Sequence, residues 1–285
     1  LEGSSGANRL IGGGGDDTLA GAAGADLLEG GAGHDLLEGG LDGDTLLGAD
    51  GEDLLRGNAG HDSLDGGAGV DALYGGNGDD TLHGGDGQDS IAGGNGNDCL
   101  MGGAGDDILR AEAGNDTLVG GAGNDLYLVD SAADLVVEAA GGGTDEVRTA
   151  LASYTLGSEI EHLTFIGTGA FQGTGNSLAN RLSGGSGNDS LAGGDGADTL
   201  NGGAGSDTLV GGSGNDIYVV DRAADQLVEA AGSGTDEVRT VLTSYTLGSE
   251  IEHLTFTGAG AFQGTGNSLA NVMSGGVAAD TLDGR

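Results

Sequence analysis

Residues 66–101 have the sequence GGAGVDALYGGNGDDTLHGGDGQDSIAGGNGNDCLM, which contains four consecutive copies of one nine-residue pattern. The pattern is G-G-x-G-x-D-x-U-x, in which U is a large apolar residue. Glycine stands at the first, second and fourth positions, aspartate at the sixth and an apolar side chain at the eighth. A fixed period of this kind predicts a repeat architecture in which each copy stacks on its neighbours.

The pattern extends in both directions from this stretch. Thirteen nonads run without insertion or deletion over residues 12–128, and four more run over residues 184–219. The sixth position is aspartate in every one of them: Asp17, Asp26, Asp35, Asp44, Asp53, Asp62, Asp71, Asp80, Asp89, Asp98, Asp107, Asp116, Asp125, Asp189, Asp198, Asp207 and Asp216. The eighth position is always large and apolar, from Leu19 in the first nonad to Tyr218 in the last. Two independent positions that match throughout exclude a chance pattern.

The spacing predicts how each nonad folds. The glycines permit positive φ and close backbone approach, so G-G-x-G-x is expected to form a tight turn. The aspartate and the residues after it are expected to form a short strand, on which the sixth and eighth positions point to the same side. Two nonads then make a coil of eighteen residues, and successive coils stack about 4.8 Å apart. The predicted fold is all-β, a parallel β-roll.

The expected ligand of this fold is calcium. Each edge of the roll would carry a column of aspartate carboxylates beside the carbonyl oxygens of the turns. Ca²⁺ takes about six to eight oxygen ligands of these two kinds. Zinc prefers nitrogen and sulfur, and His34, His61 and His83 have no second histidine or cysteine at ligand spacing. We therefore predict multiple Ca²⁺ ions bound by the sixth-position aspartates, with the histidines on the surface.

The composition agrees with a metal-dependent fold. Of 285 residues, 67 are glycine and none is proline, and the formal net charge is −38. Such a charge repels nucleic acid and anionic lipid, and it opposes compaction unless cations neutralise it. No stretch is long and apolar enough to span a membrane. The only cysteine, Cys99, permits no intrachain disulfide.

Nonads such as GGNGDDTLH (residues 75–83) and GGAGNDLYL (residues 120–128) resemble those of the RTX (repeats-in-toxin, hemolysin-type) proteins of bacteria. The resemblance implies a right-handed parallel β-roll, Ca²⁺-triggered folding outside the cell and export by type I secretion machinery. It also implies a secreted, extracellular location. In that family the sixth-position aspartate and neighbouring turn carbonyls bind the ion, and the resemblance carries this role to the seventeen aspartates named above.

Some nonads depart from the pattern. Asp42 stands in the fourth position, Ala111 and Glu112 occupy the first two positions of one nonad, and other residues replace the second glycine at Ala22, Ala49 and Asn58. The calcium sites beside these turns are the least certain to form. Upstream of each array the frame continues with asparagine in the aspartate position, at Asn8, Asn180 and Asn271. Asparagine offers oxygen without charge, so these nonads are expected to be weak or metal-free caps.

The predicted organisation has six parts. Residues 1–11 end a preceding coil, 12–128 are the long array, 129–183 are a wider β segment, 184–219 are the short array, 220–274 repeat the wider segment, and 275–285 are a truncated nonad. The two wider segments share stretches such as GTDEVRT and SYTLGSEIEHLTF at an offset of 91 residues. Short β-type runs within them favour strands. Their acidic residues are either further Ca²⁺ ligands or a solvated acidic face: Asp130, Asp134, Glu138, Asp221, Asp225 and Glu229.

Three functions fit these features. The first is a calcium-binding module of a type I secreted protein without activity of its own. The second is the C-terminal repeat tail of a secreted protease, lipase or polysaccharide epimerase whose catalytic domain lies upstream, because we expect the chain to be a fragment. The third is a repeat of an adhesin or extracellular matrix protein. The chain has no HExxH or GxSxG motif and no lysine for a phosphate-binding loop, so no catalytic residue is predicted.

Overall fold

The computed structural model describes all 285 residues, which form 31 β-strands and no helix. No element of the fold is a helix that could cross a membrane. The chain divides into two compact units, Leu1–Arg148 and Thr149–Arg285. Each unit is a parallel β-solenoid, so the predicted all-β roll is confirmed.

The first unit has sixteen strands, of which the first thirteen have six residues each and the last three are shorter. They are β1 (Arg9–Gly14), β2 (Thr18–Ala23), β3 (Leu27–Ala32), β4 (Leu36–Leu41), β5 (Thr45–Asp50), β6 (Leu54–Ala59), β7 (Ser63–Ala68), β8 (Ala72–Asn77), β9 (Thr81–Asp86), β10 (Ser90–Asn95), β11 (Cys99–Ala104), β12 (Ile108–Ala113), β13 (Thr117–Ala122), β14 (Leu126–Val129), β15 (Leu135–Val137) and β16 (Glu146–Thr149).

Alternate strands of this unit belong to two parallel sheets. The odd-numbered strands β1 to β15 form one sheet, and the even-numbered strands β2 to β16 belong to the other. Each strand pairs with the strand two places further along the chain, for example Leu64 with Leu82 and Leu73 with Ile91. Paired residues are therefore eighteen positions apart, and two nonads make one coil as predicted.

The turn is shorter than the sequence predicted. Each six-residue strand begins at the seventh position of one nonad and continues through the third position of the next, as in β7 (Ser63–Ala68). The first two glycines thus belong to the strand, and only the fourth to sixth positions lie between strands. Positive φ occurs at the second position of each nonad and at most fourth positions, for example 105° at Gly67 and 142° at Gly69, but not at the first. The first glycine instead serves the other expected purpose, close approach, because a Cβ on Gly66 would lie 2.6 Å from the carbonyl oxygen of Gly84.

The interior of each coil is narrow. The eighth-position side chains are completely buried, and the sixth-position aspartates and first-position glycines lie beside them on the inner side. The seventh and ninth positions point outward, as Tyr74 does at 44% exposure. Each coil buries two large apolar side chains, and its remaining inner surface is glycine and carboxylate.

The second unit follows the same plan with shorter strands. They are β17 (Ser153–Thr155), β18 (His162–Phe165), β19 (Gln172–Thr174), β20 (Arg181–Ser183), β21 (Ser190–Asp195), β22 (Thr199–Asn201), β23 (Thr208–Ser213), β24 (Ile217–Val220), β25 (Gln226–Val228), β26 (Glu237–Thr240), β27 (Ser244–Thr246), β28 (His253–Phe256), β29 (Gln263–Thr265), β30 (Val272–Ser274) and β31 (Thr281–Asp283).

Coil length varies where the nonads are interrupted. The even-numbered strands β18 to β30 form one sheet, and the odd-numbered strands form a five-stranded sheet, β17 to β25, and a three-stranded sheet, β27 to β31. Ile217 pairs with Glu237 and Glu237 with His253, which gives steps of twenty and then sixteen residues. Stacked aromatic pairs fill these coils, Phe165 with Phe171 and Phe256 with Phe262, each with ring centroids 4.6 Å apart.

Candidate metal sites

The aspartates form a hydrogen-bonded column along each edge. The backbone N–H of Asp62 donates to Oδ1 of Asp80, 2.8 Å away, and the N–H of Asp80 donates to Oδ1 of Asp98, also at 2.8 Å. The other edge has the same arrangement from Asp53 to Asp71. Each aspartate therefore uses one oxygen to hold the turn that lies eighteen residues before it.

The second carboxylate oxygen has no partner. Sixteen of the seventeen predicted aspartates are at most 4% exposed, and in each of the sixteen Oδ2 is buried without a hydrogen bond. The exception is Asp17, which is half-exposed near the start of the array. An unpaired buried carboxylate is costly, so this repeated feature fits the binding of a cation beside each carboxylate.

Raised pKa values of the column aspartates also indicate that these carboxylates need positive charge nearby. Burial raises the pKa of Asp80 to about 7, although the hydrogen bond from Asp62 lowers it, and the charges of Asp62 and Asp98 raise it further. Burial likewise raises the pKa of Asp71 to about 6, with contributions from the charges of Asp89 and Asp53. Without a cation, the column is thus an unfavourable array of like charges.

The first-position glycine leaves space beside each orphan oxygen. A Cβ placed on Gly66 would lie 2.5 Å from Oδ2 of Asp71 and 2.6 Å from the carbonyl oxygen of Gly84. The carboxylate and a carbonyl from the next coil thus converge on a notch that a methyl group could enter only if its neighbours shifted. We name this space, at each nonad with glycine in the first position, the inner notch.

The residues present fit Ca²⁺. The convergent donors are carboxylate and carbonyl oxygens, which Ca²⁺ prefers. The three array histidines lie on the surface, as predicted: Nδ1 of His34 accepts from the backbone N–H of Glu52, Nδ1 of His61 contacts the backbone of Asp79, and His83 faces Asp65. The sixth-position aspartates would hold the ions, and the inner-notch carbonyls would complete part of the oxygen set.

The departures from consensus keep the backbone conformation. Ala22, Asp42, Ala49, Asn58 and Glu112 all adopt positive φ, between 63° and 86°. This conformation costs a non-glycine residue roughly 1–2 kcal/mol, least for asparagine and aspartate. The coil stack therefore continues through these nonads at the expense of local strain.

The asparagine at a sixth position is satisfied by the protein alone. Asn180 is 2% exposed, and its Oδ1 accepts from the backbone N–H of Asn176 at 2.7 Å. Its Nδ2 donates to the carbonyl oxygens of Ile160 and Glu161. In contrast to the aspartates, this amide leaves no oxygen without a partner.

The structure adds members that the sequence reasoning did not assign to the columns. Oδ1 of Asp134 accepts from the backbone N–H of Asp116, and Oδ1 of Asp145 accepts from that of Asp125 at 2.7 Å. Asp225 and Asp236 do the same for Asp207 and Asp216. The nine-residue frame continued past Leu128 would have found Asp134, whereas two inserted residues displace Asp145 from it.

These features define a calcium-binding parallel β-solenoid built from nine-residue repeats. The profile of the RTX calcium-binding nonapeptide repeat matches this chain at residues 2–37, 38–73, 65–100, 74–109, 93–127, 101–136, 174–209 and 193–227. These matches cover more than half of the chain, which therefore belongs to the RTX calcium-binding repeat family. Comparison with curated proteins finds no match.

Proposed function

We propose that this chain is a calcium-responsive folding module of a type I secreted bacterial protein, with the seventeen sixth-position aspartates as its ligands. The chain is unfolded at the low Ca²⁺ concentration of the cytosol, leaves the cell through type I secretion machinery and folds in extracellular Ca²⁺. The module has no catalytic activity of its own. The observation that carries this proposal is the column of buried carboxylate oxygens without partners.

The hydrogen bonds along each column support a cooperative transition. Every buried aspartate in a column accepts a hydrogen bond from one turn and donates its own N–H to the next carboxylate, as Asp80 does between Asp62 and Asp98. An ion that fixes one carboxylate therefore also fixes the turn that donates to it. Neighbouring sites are coupled in this way, and many weak sites act together.

The concentration difference across the cell envelope is large enough to switch the fold. A site with a Kd of about 10⁻⁴ M contributes about 1.4 kcal/mol to stability at about 1 mM Ca²⁺, and almost nothing at submicromolar Ca²⁺. Summed over two columns of coupled sites, the difference exceeds the roughly 5–15 kcal/mol by which typical domains are stable.

Far-UV circular dichroism of the full chain during a Ca²⁺ titration tests the folding proposal. We expect a steep coil-to-β transition below about 10 mM Ca²⁺ and no such transition with Mg²⁺, which demands octahedral geometry and keeps its waters. A chain that is already folded in metal-free buffer would show that the leucine column suffices and that calcium is not the switch.

Secretion and the absence of catalysis need separate tests. In the producing bacterium, we expect an antibody against this chain to detect it in the culture medium, and to detect it only inside cells when the type I exporter is deleted. Detection in the medium of the deletion strain would contradict the export route. Turnover of protein, ester or polysaccharide substrates by the purified, Ca²⁺-loaded chain would contradict the non-catalytic assignment.

A further inference from the structure

The end of each nonad array carries a carboxylate cluster that differs from the repeating sites. Asp125, Glu138 and Asp145 each offer one carboxylate oxygen to a group in which all three atoms lie within 4.8 Å of one another. Asp216, Glu229 and Asp236 form the same group 91 residues later. The two groups belong to separate units of the chain, so the arrangement is built twice.

The glutamate replaces a first-position glycine. Thr117 pairs with Leu135 and Val119 with Val137, a step of eighteen residues that brings Glu138 level with Gly120. At nearly every nonad within the array, the residue level with a first-position glycine is another glycine, and its carbonyl oxygen can border the inner notch, as that of Gly84 does for Gly66. At the array end, a Cβ on Gly120 would instead meet Oε1 of Glu138, Oδ2 of Asp125 and the hydroxyl of Tyr127. A charged carboxylate therefore enters the notch.

Two further observations separate this cluster from a solvated acidic face. Asp125 is 2% exposed, and its Oδ2, which faces the cluster, has no hydrogen-bond partner. In the second copy, Asp216 and Asp236 are each 1% exposed, and Oδ2 of both is likewise unpartnered. A second and a third carboxylate that converge on such a buried, unpartnered aspartate oxygen require positive charge nearby.

The tyrosine at the eighth position completes the arrangement. Tyr127 and Tyr218 occupy the position that is leucine or isoleucine in the other fifteen nonads. The hydroxyl of Tyr127 donates to Oε1 of Glu138, and that of Tyr218 donates to Oε2 of Glu229. The hydroxyl fixes one glutamate oxygen, while the other accepts from the following backbone N–H, that of Ala139 or Ala230. The glutamate carboxylate is thus held toward the two aspartates.

We propose that Asp125, Glu138 and Asp145 form a discrete Ca²⁺ site that closes the long array, and that Asp216, Glu229 and Asp236 form a second such site closing the short array. The proposal rests on the proposed calcium function only in the choice of ion. An extra carboxylate raises the ligand charge above that of a repeating site, and ligand charge is one determinant of Ca²⁺ affinity. These two sites therefore fill before the others.

Burial and the charge of Asp145 raise the pKa of Glu138 to about 7. A proton is thus the competing occupant, and the experiment must distinguish an ion from a proton. Terbium(III) is a suitable probe because it replaces Ca²⁺ at oxygen sites and is sensitised by a nearby tyrosine over short distances only. The chain has five tyrosines and no tryptophan, so the background is low.

The test is tyrosine-sensitised terbium luminescence of the full chain, with Ca²⁺ competition and calorimetric ion counting. We expect luminescence at the lowest terbium concentrations, displaced by Ca²⁺. The paired variant Tyr127→Phe/Tyr218→Phe should abolish this signal and thereby assign it. The paired variant Glu138→Gln/Glu229→Gln should weaken binding at these sites about 10–100-fold. The control pair Glu52→Gln/Glu112→Gln makes the same charge change at exposed positions and should leave terbium binding at the two clusters unchanged.

Circular dichroism at about 10 mM Ca²⁺ verifies that the variants fold. If the glutamine pair does not fold, Glu138→Gly/Glu229→Gly restores the repeat consensus and removes the third carboxylate, with the same expected loss. Unchanged terbium affinity in the glutamine or glycine variants, or luminescence that persists in the phenylalanine pair, would overturn the proposal while leaving the columns intact. Failure of the columns alone would appear differently, as a stoichiometry of one ion per cluster with full luminescence.

Discussion

The N–H of Asp62 donates a 2.8 Å hydrogen bond to Oδ1 of Asp80, while Oδ2 of the same carboxylate is buried without a partner. The two oxygens of one side chain thus have separate tasks, one structural and one available to a cation. Oδ1 only has to accept a hydrogen bond from a backbone N–H, which needs no charge, so an asparagine oxygen can replace it. The cationic task requires the charge.

This division predicts different effects for two substitutions at one position. Asp80→Asn keeps the acceptor for Asp62 and removes the charge, so we expect Ca²⁺ binding beside it to weaken with little other damage. Asp80→Ala also leaves a buried N–H unsatisfied, which costs a further 1–3 kcal/mol or so. Calorimetric ion counting and denaturant midpoints in saturating Ca²⁺ measure the two effects.

The matched control is Asp86→Asn, which removes a charge of the same kind at an exposed position. It should change neither the ion count nor the denaturant midpoint. The double variant Asp62→Ala/Asp80→Ala should remove binding along that stretch of one edge. An unchanged ion count in the double variant would show that the aspartate columns are not the ligands.

The leucine column should control the same transition from the apolar side. Leu73 is completely buried, and Leu73→Ala is expected to cost about 2–5 kcal/mol. Because folding and binding are linked, the Ca²⁺ midpoint of the circular dichroism titration should rise. Leu41→Ala makes the same change at a side chain that is 58% exposed and should shift neither quantity measurably. Equal effects of the two variants would contradict the assigned inward face.

The raised pKa values predict opposite pH dependence with and without calcium. The pKa values of Asp80 and Asp107 in the folded chain are about 7, raised mainly by burial from the ordinary value of 3.8. Protonation therefore stabilises the metal-free fold, fully below about pH 4, and this stabilisation is lost as pH rises through about 7. In metal-free buffer, β content should increase on acidification.

In the presence of Ca²⁺, acidification should destabilise the fold, because protons compete with the ion for the same carboxylates. The Ca²⁺ midpoint should rise as pH falls from about 7 to about 5, while the variant Asp86→Asn follows the wild type. Circular dichroism at a series of pH values measures both the β content in metal-free buffer and the Ca²⁺ midpoint. β content in metal-free buffer that falls on acidification would contradict the burial of these carboxylates in the folded chain.

The coil could be predicted from the sequence because its determinants are periodic. An aspartate and a large apolar residue, such as Asp62 and Leu64, recur every nine residues. Because side chains alternate along a strand, both point inward, and two nonads close a coil of eighteen residues. The glycines were harder to interpret. Gly66 and Gly67 look identical in sequence, yet one leaves space beside Asp71 and the other adopts a φ of 105°. Only three-dimensional packing distinguishes the two requirements.

The array ends could not be predicted for a different reason. Asp145 lies twenty residues after Asp125, so its place in the column depends on two inserted residues that the nine-residue frame does not anticipate. Glu138 remains in frame, but a glutamate in a glycine position suggests a solvated surface until Asp125 and Tyr127 are seen beside it. Where a repeat is interrupted, its period therefore no longer predicts which side chains lie together.

One natural departure from the consensus allows a gain of binding to be tested. Ala111 occupies a first position and is completely buried, so its methyl group lies where the other nonads have the inner notch. We expect the site of Asp116, in the same nonad, to be weak or empty in the native chain. Ala111→Gly should open the notch and allow one additional ion to bind.

Ala111→Gly should have two opposing effects on stability, a cost from the added glycine and a gain from the additional ion. Glycine in a strand costs about 0.5–1 kcal/mol relative to alanine, whereas a new site with a Kd of about 10⁻⁴ M contributes about 2.7 kcal/mol at about 10 mM Ca²⁺. Ala113→Gly makes the same backbone change at an exposed position of strand β12 and should only destabilise. In saturating Ca²⁺, Ala111→Gly should therefore have the higher denaturant midpoint and the higher ion count. If both variants destabilise equally, the inner notch is a packing requirement of the coil and not part of the ion site.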